Sequence, residues 1–261
     1  PLMRSHKDHL GAAAADRDCS GNGLPNSVAV IGAGLAGLSA ARVLRRAGCF
    51  VEVFEQDRII GGRLATTRLG VGSFDMGAQY LTARSNTFAK FVDELTSSGY
   101  AAPWLPRGAS GEAAATMQRW FVGTPGMSSI LRPLAESVRI HTGKRVHTME
   151  RQPKGWYLWF EDHTNVGPFQ AIVVAVPARE AQLLLGRLER LSEPLNRVRM
   201  SPCWAVMLRI EHQVLPDLDV FSDMTETIRW VARNNAKPGR TGRGDHIVIH
   251  ASPNWSRETE D

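Results

Sequence analysis

The stretch "SVAVIGAGLAGLSAARVLRRAGCFVEVFE", residues 27–55, decides the fold of this chain. It opens with a β-branched run over 27–32 that ends in glycine and predicts a buried strand. Apolar residues at helical spacing predict a helix over 34–48, and a second apolar run predicts a strand over 49–55. A strand, a helix and a strand within about 30 residues have the size of a nucleotide-binding βαβ unit.

Three glycines between the first strand and the helix have the GxGxxG spacing of a dinucleotide-binding loop. Gly32 permits a tight turn, Gly34 lets the backbone approach a pyrophosphate, and Gly37 lets the helix pack closely on the strand. The helix N-terminus directs unpaired N–H groups at the phosphates. Glu55, at the end of the second strand, can accept hydrogen bonds from both hydroxyls of an adenosine ribose. We therefore predict a dinucleotide site rather than a glycine-rich turn beside a surface glutamate.

A second pair of glycines follows in "DRIIGGR", residues 57–63. An ordinary NAD-binding unit does not need this pair. Gly61 and Gly62 can lie against the phosphate–ribityl part of a longer dinucleotide, and Arg63 can supply charge-assisted hydrogen bonds to it. Taken alone, the segment is equally consistent with a mobile loop that carries an ordinary arginine.

The composition restricts the classes of partner. The chain has 261 residues, 43% of them hydrophobic, which is enough for one large core or two smaller ones. Its formal net charge of +5 comes from scattered arginines, which favours a small anionic ligand and no nucleic acid. No apolar run approaches the ~20 residues that a membrane span needs, so we expect no membrane partner.

The cysteines and histidines indicate neither disulfides nor a metal. Three cysteines without a CxxC pair fit a reducing compartment, so we expect a cytoplasmic protein. Cys49 and Cys203 lie in apolar runs, and we predict that both are buried in strands. The histidines lack the spacing of metal ligands, so no metal is predicted.

The remaining pattern predicts further helices and strands. We expect an amphipathic helix over 87–99, a turn-rich connection over 101–117, and a strand, a turn and a helix over 117–137. Thr124 and Ser128 are the candidate caps of that last helix.

Further strands are predicted within 138–176, where Trp156 and Trp159 serve as packing residues. A mostly antiparallel sheet is predicted over 194–250, and a helix begins in "SPNWSRETED". Four residues of that sheet are expected to alternate inward: Trp204, Met207, Trp230 and Ile247.

The GxGxxG loop, the acid at the strand end and the GGR loop together resemble the FAD-binding N-terminus of the amine oxidase superfamily. The segment "FDMGAQYLTAR" (74–84) is similar to the one that passes beneath the flavin in that superfamily. Later segments resemble the renalase-like FAD-dependent oxidoreductases, especially the bacterial ones. These segments are "GMSSILRPLAE" (126–136), "IVVAVPA" (172–178), "SPCWAVMLRI" (201–210), "IRWVARNNAKPGR" (228–240) and "VIHASPNWSRE" (248–258).

This resemblance, which runs from about residue 27 to the last residue, implies an α/β fold with two domains. One is a Rossmann-like, doubly wound FAD-binding domain with a parallel sheet, and the other is a substrate domain built on a mostly antiparallel sheet. The expected bounds are a disordered leader at 1–26, the FAD domain at 27–82 plus 128–185, and the substrate domain at 83–127 plus 186–250. Residues 251–261 begin a segment that in this family returns to the flavin domain, and we expect the rest of it to be missing, from either a fragment or a truncated product.

The resemblance also implies a noncovalent FAD. Val146 matches a valine whose backbone meets the adenine, although periodicity alone makes it an ordinary strand residue. The predicted cofactor residues are Gly32, Ala33, Gly34, Leu35, Ala36, Gly37, Glu55, Gln56, Gly61, Gly62, Arg63, Gly77, Ala78, Gln79 and Val146.

The implied substrates are isomeric dihydronicotinamide nucleotides, which would be oxidised to NAD(P)+ while oxygen reoxidises the flavin. Gln79, Tyr80 and Asn234 are the candidates that orient the nicotinamide. Arg229 and Arg233 either meet the substrate phosphates or are surface charges. No catalytic residue is assigned.

Two alternatives stay open: a flavin amine oxidase of a small amine or polyamine, and a flavin-binding module without turnover. Amine oxidases of the superfamily often place a lysine near flavin N5. In the corresponding half of this chain only Lys237 is present, in a predicted Lys-Pro-Gly turn, so that role is not assigned to it. This absence favours the renalase-like interpretation.

Overall fold

The computed structural model describes residues 23–70, 72–107, 119–186, 188–215, 217–222 and 224–259. The chain forms two compact units: unit 1 is Pro1–Ile59 with Leu134–Val198, and unit 2 is Ile60–Pro133 with Arg199–Asp261. Compactness alone assigns no ligand to either unit, so the predicted division into FAD and substrate domains stays a prediction. The predicted leader lies outside the described residues except for 23–26.

The strands and helices are numbered here in chain order. The strands are β1 (Ser27–Ile31), β2 (Phe50–Phe54), β3 (Thr66–Leu69), β4 (Gly72–Asp75), β5 (Leu81–Thr82), β6 (Ala101–Trp104), β7 (Trp120–Gly123), β8 (Arg139–His141), β9 (Val146–Gln152), β10 (Gly155–Phe160), β11 (Asn165–Phe169), β12 (Ala171–Val174), β13 (Ala205–Ile210), β14 (Val220–Ser222), β15 (Ile228–Arg233) and β16 (Asp245–Ala251). The α-helices are α1 (Leu35–Arg46), α2 (Asn86–Ser97), α3 (Arg132–Ala135), α4 (Ala178–Leu185), α5 (Glu189–Ser192) and α6 (Pro253–Glu258). Short 3-10 turns span Gly62–Leu64, Met127–Leu131, Glu193–Arg197 and Asn234–Ala236.

Unit 1 contains a parallel sheet in the order β12-β1-β2-β8. Helix α1 buries Gly37, Leu38 and Ala41, which share one face of the helix. A second, antiparallel sheet has the order β11-β10-β9. Its Leu158 and Phe160 pack in one apolar cluster with residues of the parallel sheet. These elements confirm the predicted βαβ unit and the Rossmann-like fold class.

Unit 2 is built mainly from antiparallel strands, as expected. Its largest sheet has the order β13-β16-β15-β14, beside a β3-β4 hairpin and a sheet in the order β5-β7-β6. The predicted amphipathic helix is confirmed as α2, where the Ser85 hydroxyl accepts the Phe88 N–H as an N-cap. Ile247 is buried in β16, whereas Met207 and Trp230 are half-buried.

Two neighbouring residues that were expected inside are exposed. Cys203 is exposed and Trp204 is 52% exposed, so both predictions are wrong, while Cys49 is buried as predicted. Both residues precede β13, which begins at Ala205. Trp204 lies on the same side as the exposed Val206 and Leu208, whereas Met207 lies on the opposite face of the strand.

The predicted turn-rich connection begins with a strand instead. Ala101–Trp104 form β6 and pair with β7. Pro103 is tolerated because β6 lies at the edge of its sheet, where a missing N–H breaks no ladder. Residues 108–117 of the predicted connection lie outside the described residues.

The predicted caps of the segment after β7 are also wrong. The N–H of Met127 donates to Asp75 Oδ1 at 2.9 Å, and the N–H of Ser128 donates to Thr66 Oγ1 at 3.2 Å. Both acceptors come from the β3-β4 hairpin, which sequence spacing does not bring to this helix. Among the described residues the buried Thr124 hydroxyl has no hydrogen-bond partner.

Across the described ranges, no helix has the length and apolar character that a membrane crossing requires. The same ranges contain no group of three His, Cys, Asp or Glu side chains arranged to hold a metal ion.

Candidate functional site

The glycine loop between β1 and α1 has the geometry that a close phosphate approach needs. Gly32 has φ +100°, and an added Cβ would lie 2.7 Å from the Ala175 carbonyl oxygen. A Cβ on Gly37 would collide with the Gly32 carbonyl oxygen. Gly34 differs, because its φ of −82° suits any residue and it is the N-cap of α1 without a capping side chain. Packing therefore requires the first and third glycines, whereas the backbone conformation of the second does not.

The Glu55 carboxylate lies against this loop. Its Oε2 accepts the Ala33 N–H at 2.7 Å, and its Oε1 accepts the Asp57 N–H at 3.0 Å. Glu55 is buried, yet an ionised carboxylate has about four acceptor positions, so two remain for a ligand. The structure thus brings Ala33 and Glu55 together, and the binding of ribose by Glu55 stays a prediction.

A cleft of about 400 Å³ opens beside the end of β2 in unit 1. Gln56 lines it together with Gly143, Lys144 and Arg145, the three residues that precede Val146. Backbone hydrogen bonds fix this arrangement, since the Lys144 N–H donates to the Glu55 carbonyl at 2.8 Å. The predicted cofactor residues Gln56 and Val146 therefore lie near one another, with Val146 half-buried.

The sequence did not identify the far wall of this cleft. Lys144 Nζ donates to Asp162 Oδ2 at 2.6 Å and lies 5.2 Å from the centre of the Phe160 ring. These contacts depend on the β9-β10 hairpin and its turn, so spacing along the chain did not reveal them.

In unit 2, the GGR loop contacts the "DMGA" segment. Gly61 and Gly62 have φ values of +145° and +53°, which only glycine adopts easily. The Ala78 N–H donates to the Arg63 carbonyl at 2.9 Å, and a Cβ on Gly77 would collide with the same oxygen. Two segments that the resemblance assigned to the flavin are therefore adjacent in the folded unit.

A buried polar group of five side chains lies next to this segment, and we call it the Asp75 cluster: Asp75, Gln79, Asn234, Lys237 and Arg240. Lys237 Nζ donates to Asp75 Oδ2 at 3.2 Å, to Gln79 Oε1 at 3.0 Å and to Asn234 Oδ1 at 3.0 Å. Arg240 Nη2 donates to the same Asp75 oxygen at 2.5 Å. One carboxylate thus faces two cations.

In the Asp75 cluster the pKa values of Lys237 and Asp75 are both lowered, but burial and neighbouring charges contribute differently to the two shifts. Burial lowers the pKa of Lys237 to about 8, and repulsion from Arg240 adds to this, although Asp75 acts to raise it. For Asp75, burial acts to raise the pKa, but Lys237, Arg240 and the Met127 N–H together hold the pKa below its ordinary value. Arg240 contributes to both shifts, because it stabilises the carboxylate and repels the ammonium group.

An aromatic cluster adjoins the Asp75 cluster. Tyr80 stacks on Trp120 with ring centres 4.0 Å apart, and Trp230 and Trp104 pack around Trp120. Lys237 Nζ lies 5.5 Å from the centre of the Trp104 ring. Tyr80 is half-buried, so it is held by packing rather than projecting from a mobile loop.

Of the other predicted substrate residues, Gln79 and Asn234 lie together in the Asp75 cluster and Arg229 is not part of it. The Gln79 amide donates to the carbonyls of Asp75 and Gly77, and Asn234 donates to the Ser73 carbonyl. Arg229 is exposed on β15. Their roles in substrate binding stay predictions.

Arg233 is neither a surface charge nor free for a phosphate. It is buried, and its Nη2 donates to Asp219 Oδ1 at 2.6 Å while Nη1 lies 3.7 Å from Asp245 Oδ1. Strand alternation did not distinguish it from Arg229, because the acids that pair with Arg233 come from segments before β14 and at the start of β16.

Lys237 provides a test of the Asp75 cluster through pH. Its pKa is about 8 in the folded protein and 10.5 when unfolded, so between these values the unfolded chain binds more protons. The free energy of unfolding should therefore rise with pH across this window, by up to about 3 kcal/mol from this group. Urea denaturation at several pH values should show this rise in the wild type and not in Lys237→Met. The exposed Lys90→Met variant is the control, and parallel curves for all three proteins would contradict the assignment.

The Rossmann-like fold, the GxGxxG loop and the GGR loop define the class of a dinucleotide-binding α/β protein. Comparison with known proteins agrees with this class. Residues 30–95 match the NAD(P)-binding Rossmann-like domain, and residues 104–252 match the flavin containing amine oxidoreductase family. The second match covers more than half of the 261 residues. The chain belongs to the flavin containing amine oxidoreductase family. This membership confirms the predicted flavin cofactor, FAD, and places the chain in a family of oxidoreductases.

The chain matches only a small part of the length of its curated relatives. The chain is 42% identical over 73 residues to the glutamate synthase [NADPH] small chain of Mycobacterium tuberculosis, covering 28% of this chain and 13% of that protein. It is 38% identical over 68 residues to protoporphyrinogen oxidase 2 of Arabidopsis thaliana, covering 26% and 13%. Among solved structures, putrescine oxidase bound to putrescine superposes with a TM-score of 0.65 at 14% identity, over 89% of this chain and 77% of that one. That likeness shows the fold alone.

Proposed function

We propose that the chain belongs to a renalase-like FAD-dependent oxidoreductase that oxidises isomeric dihydronicotinamide nucleotides to NAD(P)+. The observation that supports this most is the state of Lys237. Lys237 is the only lysine of the sequence after residue 154, and its Nζ is buried with three hydrogen-bond acceptors around it. A lysine held in this way is not available to act beside the flavin as in the amine oxidases that the sequence resembles.

The charges of unit 2 favour an anionic substrate over an amine. A polyamine substrate favours acids that are free to pair with its ammonium groups. In the described part of unit 2, the three buried acids already face donors: Asp75 faces Lys237 and Arg240, and Asp219 faces Arg107 and Arg233. The third, Asp245, accepts two backbone N–H groups at Oδ2, and its Oδ1 lies 3.7 Å from Arg233 Nη1.

The proposal assigns FAD to the residues predicted for it, without a covalent link. When bound, the flavin accepts a hydride at N5 from the substrate. The chain's own residues would hold the cofactor and orient it. Gly34 would leave room for the pyrophosphate beside the backbone, Glu55 would offer acceptors to the ribose, and Arg63 would offer positive charge to the phosphates.

The noncovalent state has a simple test. Acid precipitation of the purified protein should release the yellow flavin into the supernatant, where its absorption spectrum and chromatographic retention identify it as FAD. Flavin that stays in the protein pellet would contradict noncovalent binding, and a protein that binds NAD and no flavin would contradict the cofactor.

Anaerobic stopped-flow reduction of the flavin-loaded protein tests the substrate. We expect 2- or 6-dihydronicotinamide dinucleotides to bleach the flavin at least about tenfold faster than ordinary NAD(P)H, because a pocket that presents one ring edge to N5 discriminates among isomers. Hydride transfer needs the donor carbon within about 3–3.5 Å of its acceptor. Putrescine and a monoamine serve as comparison reductants.

The alternatives predict different outcomes. Faster bleaching by an amine than by any dihydronicotinamide would favour a flavin amine oxidase. No bleaching by either class, in a protein that retains its flavin, would favour a flavin-binding module without turnover.

A further inference from the structure

A second cleft, of about 300 Å³, opens within unit 2, and we call it the arginine cleft. Its polar side chains come from three separate segments of the chain. They are Thr66, Arg68, Ser73, Ser128, Ser129, Arg132 and Thr241. Glycines and one proline supply the other described parts of its wall.

The chemistry of this lining selects an anion. Among the described residues that line the cleft, none is acidic and none carries a large apolar or aromatic side chain. Arg68 and Arg132 are both exposed, and within the described ranges neither forms a salt bridge with a carboxylate. Two unpaired guanidinium groups beside several hydroxyls are the donors that proteins use for phosphate.

The wall of the cleft is held in place before any ligand binds. Thr66 Oγ1 donates to Asp75 Oδ1 at 2.8 Å and accepts the Ser128 N–H at 3.2 Å. Gly126 packs so closely that an added Cβ would lie 2.6 Å from the Thr66 hydroxyl oxygen. A preformed wall lowers the cost of ordering side chains on binding.

The nearest buried acid does not repel an anion at this wall. Asp75 accepts hydrogen bonds from both Lys237 and Arg240, so two cations face one carboxylate behind Thr66. The interior next to the cleft is therefore neutral to positive, in keeping with the two arginines at its surface.

We propose that the arginine cleft binds the phosphate group of a small, sugar-like phosphomonoester, or free phosphate. The described lining residues favour a phosphate over a flavin ring or a nicotinamide, because such rings are bound by apolar and aromatic side chains and none of these residues supplies one. The site is thus separate from the proposed redox function and does not depend on its substrate.

Isothermal titration of the FAD-loaded protein at low ionic strength tests the proposal. The probes are inorganic phosphate, ribose 5-phosphate and ribose. We expect both phosphates to bind and ribose not to bind, with affinity that falls as sodium chloride is added. Tighter binding of ribose 5-phosphate than of phosphate would identify a phosphomonoester as the occupant, and equal binding would identify free phosphate.

The variant Arg68→Ser/Arg132→Ser should weaken phosphate binding at least about tenfold, since each arginine supplies charge-assisted hydrogen bonds. Arg209→Ser is the matched control, because Arg209 is an exposed arginine on β13 of the same unit and does not line the cleft. Arg68→Lys/Arg132→Lys keeps the charge and should retain part of the affinity, which keeps the test valid if the serine variant folds poorly.

Three results would overturn the proposal. One is the same phosphate affinity in the wild type and in Arg68→Ser/Arg132→Ser. Another is equal binding of ribose and ribose 5-phosphate. The third is loss of flavin absorbance in Arg68→Ser/Arg132→Ser at unchanged thermal stability, because the cleft would then belong to the cofactor site.

Discussion

Asp75→Asn is expected to destabilise the protein by about 3–5 kcal/mol, the usual cost of removing one partner from a buried ion pair. Asp75 is fully buried, and its Oδ1 accepts from the Thr66 hydroxyl at 2.8 Å and from the Met127 N–H at 2.9 Å. Its Oδ2 accepts from Lys237 and Arg240. The asparagine amide would turn one acceptor into a donor and leave two buried cations without a counter-ion.

Urea denaturation at neutral pH measures this loss, and Asp162→Asn is the matched control. Asp162 is also paired with a lysine, Lys144, but its side chain is 50% exposed. Exposed ion pairs contribute little to stability, so we expect no resolvable change in the control. Equal destabilisation by the two substitutions would show that the buried Asp75 cluster contributes no more to the free energy of unfolding than an exposed ion pair.

The dependence of stability on acidic pH gives a second test of the Asp75 prediction. The pKa of Asp75 is held below the ordinary carboxyl value of 3.8, so its contribution to stability is complete above that value. The contribution is lost as the pH falls through the lower value of the folded state. The wild type should therefore lose this part of its stability in acid below about pH 4, and Asp75→Asn should not.

The parts of the fold that the sequence predicted are those set by short-range spacing. Strand β1, helix α1 and strand β2 follow one another within 27–55, and their periods of two and 3.6 residues are visible directly. The glycine loop needs no distant partner to be recognised, because its conformation and its helix packing are local. Glu55 could be placed for the same reason, since it ends the strand next to the loop.

The Asp75 cluster could not be predicted from the sequence because its members lie far apart in the chain. Lys237 and Asp75 are separated by 162 positions. In "NAKPGR" a lysine before Pro-Gly indicates an exposed turn, and only the contact with the β3-β4 hairpin buries it. A lone basic residue near a turn carries no sign of a distant carboxylate.

Two other predictions differ from the structure for separate reasons. Trp204 and Met207 are three positions apart, so an extended segment places them on opposite faces, and Trp204 shares the exposed face of Val206 and Leu208. Arg233 follows the alternation of β15, but it is buried beside its partners Asp219 and Asp245. These ion pairs join distant segments, and a single sequence does not display them.

Gly34→Val is expected to weaken FAD binding at least about a hundredfold, which corresponds to about 2.7 kcal/mol, with little loss of fold. The backbone of Gly34 has φ −82° and ψ −176°, an extended conformation that valine adopts easily. The backbone conformation therefore does not require a glycine here. The requirement is for the pyrophosphate, which has to approach the backbone where the branched side chain would stand.

Gly37→Val provides the contrast. A Cβ at that position would collide with the Gly32 carbonyl oxygen and lie 3.3 Å from the Ala175 Cβ, so this variant should lose fold stability along with its flavin. Titration of each flavin-free variant with FAD gives the affinity, and thermal denaturation of the same samples gives the stability. A Gly34→Val protein with normal flavin content would show that the loop is only a structural turn. A Gly34→Val protein as unstable as Gly37→Val would show that packing, rather than the cofactor, requires the second glycine.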